Sequence, residues 1–298
     1  MMQKIRNLVL PIAILLGFIF HRYIVLIKDV TPWIIFVLLY ITLCNIDLKK
    51  IKFSWLHLWI LGFQIVLSLA LYLMIKPFSP ILAQGALVIV LTPTAISAPV
   101  VAVMLGANLS TMLTSTLLSN LMVALISPLY FSWTGIHVDL PFFESSWMVL
   151  SKVTPLIIFP FILALLTQRF LPTVAKMIVK PKNLPFFLWA FGLTIVIGST
   201  IEYIYTMDSS KNELLIYMAS FSLVICVLQF AFGRWIGKRY GDVVAGGQSL
   251  GQKNTVLSIW MAQTYLNPIS SVVPASYVLW QNLFNSYQLF QKSREEKK

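Results

Sequence analysis

Gly246-Gly247-Gln248-Ser249-Leu250-Gly251-Gln252-Lys253-Asn254-Thr255 interrupts an apolar run that extends from 241 to 264, and Thr92-Pro93-Thr94-Ala95-Ile96-Ser97-Ala98-Pro99 interrupts another, from 80 to 105. Glycine and proline weaken a helix where they stand, and Pro removes a backbone donor as well. In hydrocarbon each amide released in this way costs several kcal/mol unless protein or water takes it up. Two unwound helices that cross one another meet that need.

The rest of the chain supplies the surrounding bundle. Of 298 residues 58% are hydrophobic and 11% charged, and the mean hydropathy is +0.84, where a soluble domain carries about 25% charge. The apolar runs are long and continuous, unlike the alternating stretches of an outer-membrane barrel. They fall at 7 to 27, 31 to 48, 54 to 75, 80 to 105, 109 to 133, 147 to 168, 184 to 205, 212 to 236, 241 to 264 and 268 to 291, which predicts an all-α polytopic membrane protein of ten spans. Ten divides into five plus five, and an odd number of spans per half makes this an inverted repeat. The fourth and ninth spans then correspond, and both are broken. A single break reads as an ordinary proline kink, as expected at Pro155 and Pro160. A matched pair points to the midplane site of a secondary transporter.

The net charge is +12. With a cytoplasmic amino terminus, sixteen of the twenty-two Lys and Arg fall in inside segments and four, Arg22, Lys28, Lys76 and Lys211, in outside ones. This positive-inside bias puts both ends in the cytoplasm of a bacterial-type inner membrane and accounts for the basic composition without nucleic acid. The first apolar run lacks a small-residue cleavage site and reads as a retained helix. Cys44 and Cys226 both lie in apolar runs, which excludes a disulfide framework or zinc cluster and leaves lipid-facing or packing thiols.

No carboxylate occupies the centre of a span: Asp29, Asp47, Asp139, Glu144, Asp208, Glu213, Glu295 and Glu296 fall in loops or ends, and Glu202 and Asp242 near span termini. That argues against an intramembrane aspartyl protease or an acidic proton relay, and no phosphate-binding Gly-rich loop is present. His21, His57 and His137 sit at span edges or in loops, where an interfacial role is expected. No cofactor is implied, and a membrane enzyme lacks both metal ligands and a nucleophile with its base.

The exception is Lys253. A lysine at the bilayer centre costs about 2.5–3.5 kcal/mol on insertion scales without a partner or a wet cavity. Two roles fit: a fixed cation that holds the carbonyl ends of the broken fourth helix, or a positive charge that meets an anionic group of a solute, helped by half-helix amino termini. A lysine at that depth can also release its proton during a cycle, which admits proton coupling. Beside it stand Gln252, Asn254 and Thr255. Thr94, Ser97, Thr116, Asn120, Gln64 and Ser249 complete the polar candidates; Thr116 and Asn120 share a helix face. Trp33, Trp55, Trp133, Trp147 and Trp189 lie near span ends as expected of interface anchors.

With these residues in place the chain resembles the bile acid:sodium symporter family, within the larger group of organic-anion transporters. The resemblance runs through Leu105-Gly106-Ala107-Asn108-Leu109-Ser110, the Ser/Thr-rich span closing on Ser127-Pro128, Gly251-Gln252-Lys253-Asn254-Thr255, and Val273-Pro274-Ala275-Ser276-Tyr277-Val278-Leu279-Trp280-Gln281-Asn282. It implies a panel of helices one, two, six and seven (1–53 and 141–208) and a core of helices three to five and eight to ten (54–140 and 209–298), with substrate between them beside the crossing.

The same resemblance implies sodium sites, and this chain departs from them. The family's Ser-Asn pair on helix four becomes Ala98-Pro99, a helix-five hydroxyl becomes Met112 while Thr116 remains, and the helix-nine glutamate becomes Ser249. Gln64 matches a helix-three glutamine, and a helix-nine glutamine becomes Lys253. An ammonium about 4 Å from a sodium ion repels it by about 4 kcal/mol at an effective dielectric near 20, around a thousandfold in affinity. The expectation is therefore a sodium-independent carrier of an organic anion, bile-acid-like or a small carboxylate, with lysine in the place of the metal. The alternative is a non-transporting sensor or binding protein that kept the fold. Oligomeric state is not legible.

Overall fold

The computed structural model describes residues 2–46, 51–134, 141–181, 183–206 and 212–295; His137, Asp47, Asp139, Asp208 and Glu296 lie outside them. The described residues are predominantly helical: α1 (Met2–Ile19), α2 (His21–Ile24), a 3-10 segment (Val25–Val30), α3 (Thr31–Cys44), α4 (Trp55–Ile75), α5 (Pro80–Leu91), α6 (Ala98–Met104), α7 (Leu109–Thr134), α8 (Phe142–Phe170), α9 (Pro172–Val179), α10 (Leu184–Tyr205), α11 (Asn212–Arg239), α12 (Val243–Gly251), α13 (Thr255–Tyr265), a 3-10 turn (Pro268–Ser271) and α14 (Val272–Glu295). Among these residues six segments are long and apolar enough to cross a membrane: His21–Cys44, α4, α7, α8, α10 and Glu213–Arg239; α5 is a shorter apolar helix. The protein is a polytopic, membrane-embedded helical bundle.

Two interruptions fall where expected, but both are shorter than the sequence suggests. Gly246 to Gly251 stay helical in α12, and only Gln252 to Asn254 unwind. Likewise Ala98 and Pro99 already form the first turn of α6, a position that tolerates Pro because its amide would be unbonded anyway. The glycines serve a different purpose. A Cβ on Gly246 would collide with the carbonyl oxygen of Gly233, and one on Gly233 with that of Gly246, so α11 and α12 touch backbone to backbone as small residues allow in membrane helix pairs.

The first predicted span also ends early. α1 stops at Ile19, and the chain turns through α2 and the 3-10 segment directly into α3. Polar His21 fixes this turn: its Nδ1 lies 2.5 Å from Glu202 Oε2 on α10, and its ring stacks on Tyr205 at 4.8 Å.

α1 and α2 pack on α10, and α3 packs on both α8 and α10. α4 packs on α5, and α11 on α12 and α14. The largest apolar cluster joins the two sets, with Leu87, Leu91, Val256, Ile259 and Ala262 meeting Ile35, Leu39, Leu193 and Val196. Trp33, Trp55, Trp133 and Trp147 are exposed as expected of anchors, whereas Trp189 is half-buried against Ile34, Leu38 and Ile195. Cys44 and Cys226 are buried packing thiols.

Candidate functional site at the helix crossing

Local sequence stops each broken helix. Thr92 turns out of α5 at ψ 140°, its hydroxyl donating to Val88 O at 2.5 Å, and Pro93 offers no amide to continue the ladder. Asp242 opens α12 by accepting from the Ala245 amide at 2.8 Å, and Asn254 opens α13 by accepting from the Leu257 amide at 3.3 Å. Between these ends the two unwound stretches run antiparallel. Thr94 and Lys253 face one another in an isolated β-bridge. The Ala95 amide donates to Gln252 O at 2.8 Å and the Asn254 amide to Pro93 O at 3.0 Å. Protein, not water, takes up these freed amides.

Lys253 is 1% exposed. Its Nζ donates to Val90 O at 3.0 Å and to Thr92 O at 2.9 Å, and its amide donates to Gln281 Oε1 at 2.8 Å. The two carbonyls lie at the carboxyl end of α5, where the helix dipole concentrates negative charge and the last carbonyls have no intrahelical donor. Of the two roles open to this residue, the fixed cation on the broken fourth helix is the one whose contacts are present. Gln64 Nε2 adds a donor to Thr92 O at 3.1 Å.

The other candidates assemble around this centre. The Thr94 hydroxyl donates to Ser249 O at 2.7 Å, and its amide donates to Ser119 Oγ at 3.1 Å. The Ser249 hydroxyl points at Met112 Sδ, 3.4 Å away. Met112 packs with Ala95, Ala98 and Ala245 in a small apolar cluster, so the positions where the resemblance would place a glutamate and hydroxyl ligands hold a serine, a thioether and methyl groups. Thr116 and Asn120 are both buried, with hydroxyl and amide donating to Met112 O at 2.9 Å and Thr116 O at 2.8 Å. Pro99 is buried beside Ala98, while Ser97 is exposed and accepts from Gln252 Nε2 at 3.2 Å. Asn120 Oδ1, Gln252 Oε1, Gln64 Oε1 and Thr255 Oγ1 have no hydrogen-bond partner within the protein.

Three partners escaped the sequence reasoning. Tyr277 donates its hydroxyl to Gly251 O, the last carbonyl of α12, at 2.8 Å; Gln229 Nε2 donates to Tyr277 Oη at 3.1 Å; and Gln281 holds the Lys253 amide. The signal was available: Tyr277, Gln281, Asn285 and Gln288 follow at helical spacing, a polar stripe on one face of α14. His57 also departs from its expected interfacial role. It is 1% exposed, with Nδ1 beside Ser54 and Nε2 3.1 Å from Thr111 O, where it links α4 to α7.

At the end of the bundle opposite the basic one, α10 is tied to the crossing helices. Gln263 Nε2 donates to Val196 O at 3.1 Å and to Thr200 Oγ1 at 2.9 Å, and Thr200 Oγ1 lies 3.1 Å from Ser271 Oγ. At the basic end, α6 packs chiefly on α7 and α12 and leaves Ser97, Val100, Val103 and Met104 exposed. A groove of about 570 Å³ runs between α1, α10 and α14, lined by Pro11, Phe18, Ile201, Asn282, Leu283 and Ser286 among others. No protein-family model matches the chain, and no curated protein matches it.

Proposed function

We propose that the protein is a secondary transporter that moves an organic anion by alternating access, without sodium and without a catalytic step, with Lys253 as a tethered cation at the crossing. The observation that carries this reading is the buried Nζ on the carbonyl ends of one broken helix, inside the crossing with another. The apolar filling of Met112, Ala98 and Ala245 supports it, because it offers sodium neither charge nor oxygen. In this reading ten spans form a five-plus-five inverted repeat, with 1–53 and 141–208 as the panel and 54–140 and 209–298 as the core, and both termini are cytoplasmic. Gln64 on α4 and Gln229 on α11 stand at similar distances from the carboxyl ends of their helices, and each supports the carboxyl end of a broken helix, Gln64 directly at Thr92 O and Gln229 through the Tyr277 hydroxyl.

Because two amine hydrogens are engaged by carbonyls, the solute in this reading is met by the exposed Ser97 and by the neighbouring Gln252, Asn254, Thr255 and Asn120, which are buried in this conformation, with the ammonium supplying field from behind. The partner is a small organic anion, a bile acid or a short carboxylate.

Uptake into proteoliposomes of cholate, pantoate and small carboxylates tests this, with sodium replaced by choline and at two pH values. Uptake unchanged by the replacement is the expected result, and a clear sodium requirement overturns it. Lys253→Gln should partly regain sodium sensitivity, limited by the missing glutamate. Flux that ignores an imposed pH gradient removes proton coupling, and binding without flux favours the sensor.

In this reading the tie between α10 and α13 is the contact that closes the end opposite the basic one. Gln263→Leu removes two hydrogen bonds of about 1 kcal/mol each. The expected outcome is a population shift of about tenfold or more toward the opposite opening, read as faster thiol labelling of a cysteine placed at Ser271.

A further inference from the structure

At the basic end of the bundle α11 carries Arg234, Lys238 and Arg239, and α14 carries Gln288 beside them. The Arg234 stem is set by a glycine: a Cβ on Gly247 would stand 2.6 Å from Arg234 Cγ, so the arginine lies against bare backbone of α12. Its head turns toward α14, where Nη1 donates to Gln288 Oε1 at 3.4 Å. The same oxygen is 3.4 Å from Gln248 Nε2, which donates to Asn285 Oδ1 at 3.0 Å. This arrangement leaves Gln288 Nε2 buried with no acceptor, next to an exposed guanidinium. Gln248, 1% exposed, spends its Nε2 on Asn285 and Gln288 and so positions the Gln288 amide rather than offering a donor of its own. An amide donor without a partner beside an arginine fork matches an anionic oxygen, and phosphate suits the fork's geometry.

The surroundings choose the source of that phosphate. Toward the middle of the bundle α11 exposes Val224, Val227 and Leu228 on a helix long enough to cross the bilayer. Trp235 is exposed on the same helix, with the Arg239 guanidinium 4.0 Å from its ring centroid, the pairing of aromatic and cation that marks a headgroup level. An apolar strip that leads to a cationic, donor-rich notch fits an amphiphile rather than a free ion, and basic pockets between membrane helices take anionic headgroups. We propose that the notch formed by Arg234 and Gln288, with Gln248 positioning the Gln288 amide, binds the phosphate diester of an anionic phospholipid, with one acyl chain along α11. The proposal is independent of what the crossing transports.

Native mass spectrometry of the full-length protein, with phosphatidylglycerol or phosphatidylcholine added to the micelles, tests it, alongside thermal unfolding with inorganic phosphate alone. The expected result is retention of phosphatidylglycerol over phosphatidylcholine, weakened about tenfold in Arg234→Gln and in Gln288→Leu by the loss of one charge-assisted or amide contact. Lys180→Gln, a cation at the same end on a different helix, should leave retention unchanged. Equal loss in Lys180→Gln means diffuse attraction to the basic surface and overturns the site. Equal retention of the two lipids, undiminished binding in both notch variants, or the same stabilisation by inorganic phosphate overturns it too. Gln288→Leu keeps the test open if Arg234→Gln fails to fold.

Discussion

Lys253→Met should lower the thermal stability of the whole bundle as well as abolish the proposed transport. The substitution keeps the length and apolar stem of the side chain but removes the donor from Val90 O and Thr92 O. Thr92 O retains Gln64 Nε2; Val90 O, in the last turn of α5, loses its side-chain donor. A buried polar group left unsatisfied costs about 1–3 kcal/mol, and the lost interaction of an ammonium with the carboxyl end of a helix adds up to about 2 kcal/mol. Against a typical stability of about 5–15 kcal/mol, a fall in Tm of about 5–10 °C is expected in detergent. The same measurement separates the two roles of the lysine. Were the amine a hook for the solute, Lys253→Met would lose binding and keep its Tm. An unchanged Tm would therefore remove the fixed cation from the account.

Gly246→Leu should yield no monodisperse protein. A side chain there has no volume to enter, because the first atom of it already overlaps the Gly233 carbonyl and crowds Gly237 of α11. Inserting extra atoms into a packed contact costs about 1–3 kcal/mol where neighbours can move aside, and here the neighbours are backbone, so the cost exceeds that range. Gly62→Ala is the control. Nothing lies within 4 Å of a Cβ on Gly62, it stands inside α4, and the change should stabilise by up to about 1 kcal/mol through helix propensity. Size-exclusion profiles and Tm of the two variants check both outcomes; a well-folded Gly246→Leu would show that α11 and α12 are not in backbone contact.

Much of this arrangement can be read in the residues themselves. Pro93 and the polar Gln252-Lys253-Asn254 run mark the two breaks because hydrocarbon tolerates neither a missing donor nor a charge without compensation. What hydropathy does not convey is direction. It says that Lys253 must have partners, but not that they are the carbonyls of Val90 and Thr92, since every residue carries a carbonyl. Gly246 and Gly247 read as helix weakeners, whereas their role is to let α11 and Arg234 approach; both effects follow from the missing Cβ, and only the neighbouring helix distinguishes them. Thr200 lies 63 residues from Gln263 and 71 from Ser271 in the chain, and nothing local foretells that it meets them. The α14 stripe from Tyr277 to Gln288 was legible by spacing alone.

A counterion built into the chain has no off-rate. The α5 terminus keeps this partner in dilute medium and in brine alike, and under the proposed transport cycle no sodium ion has to arrive or depart. Mass action, which lets cells drive or stall an ion-coupled carrier through salt, has no purchase on this bond.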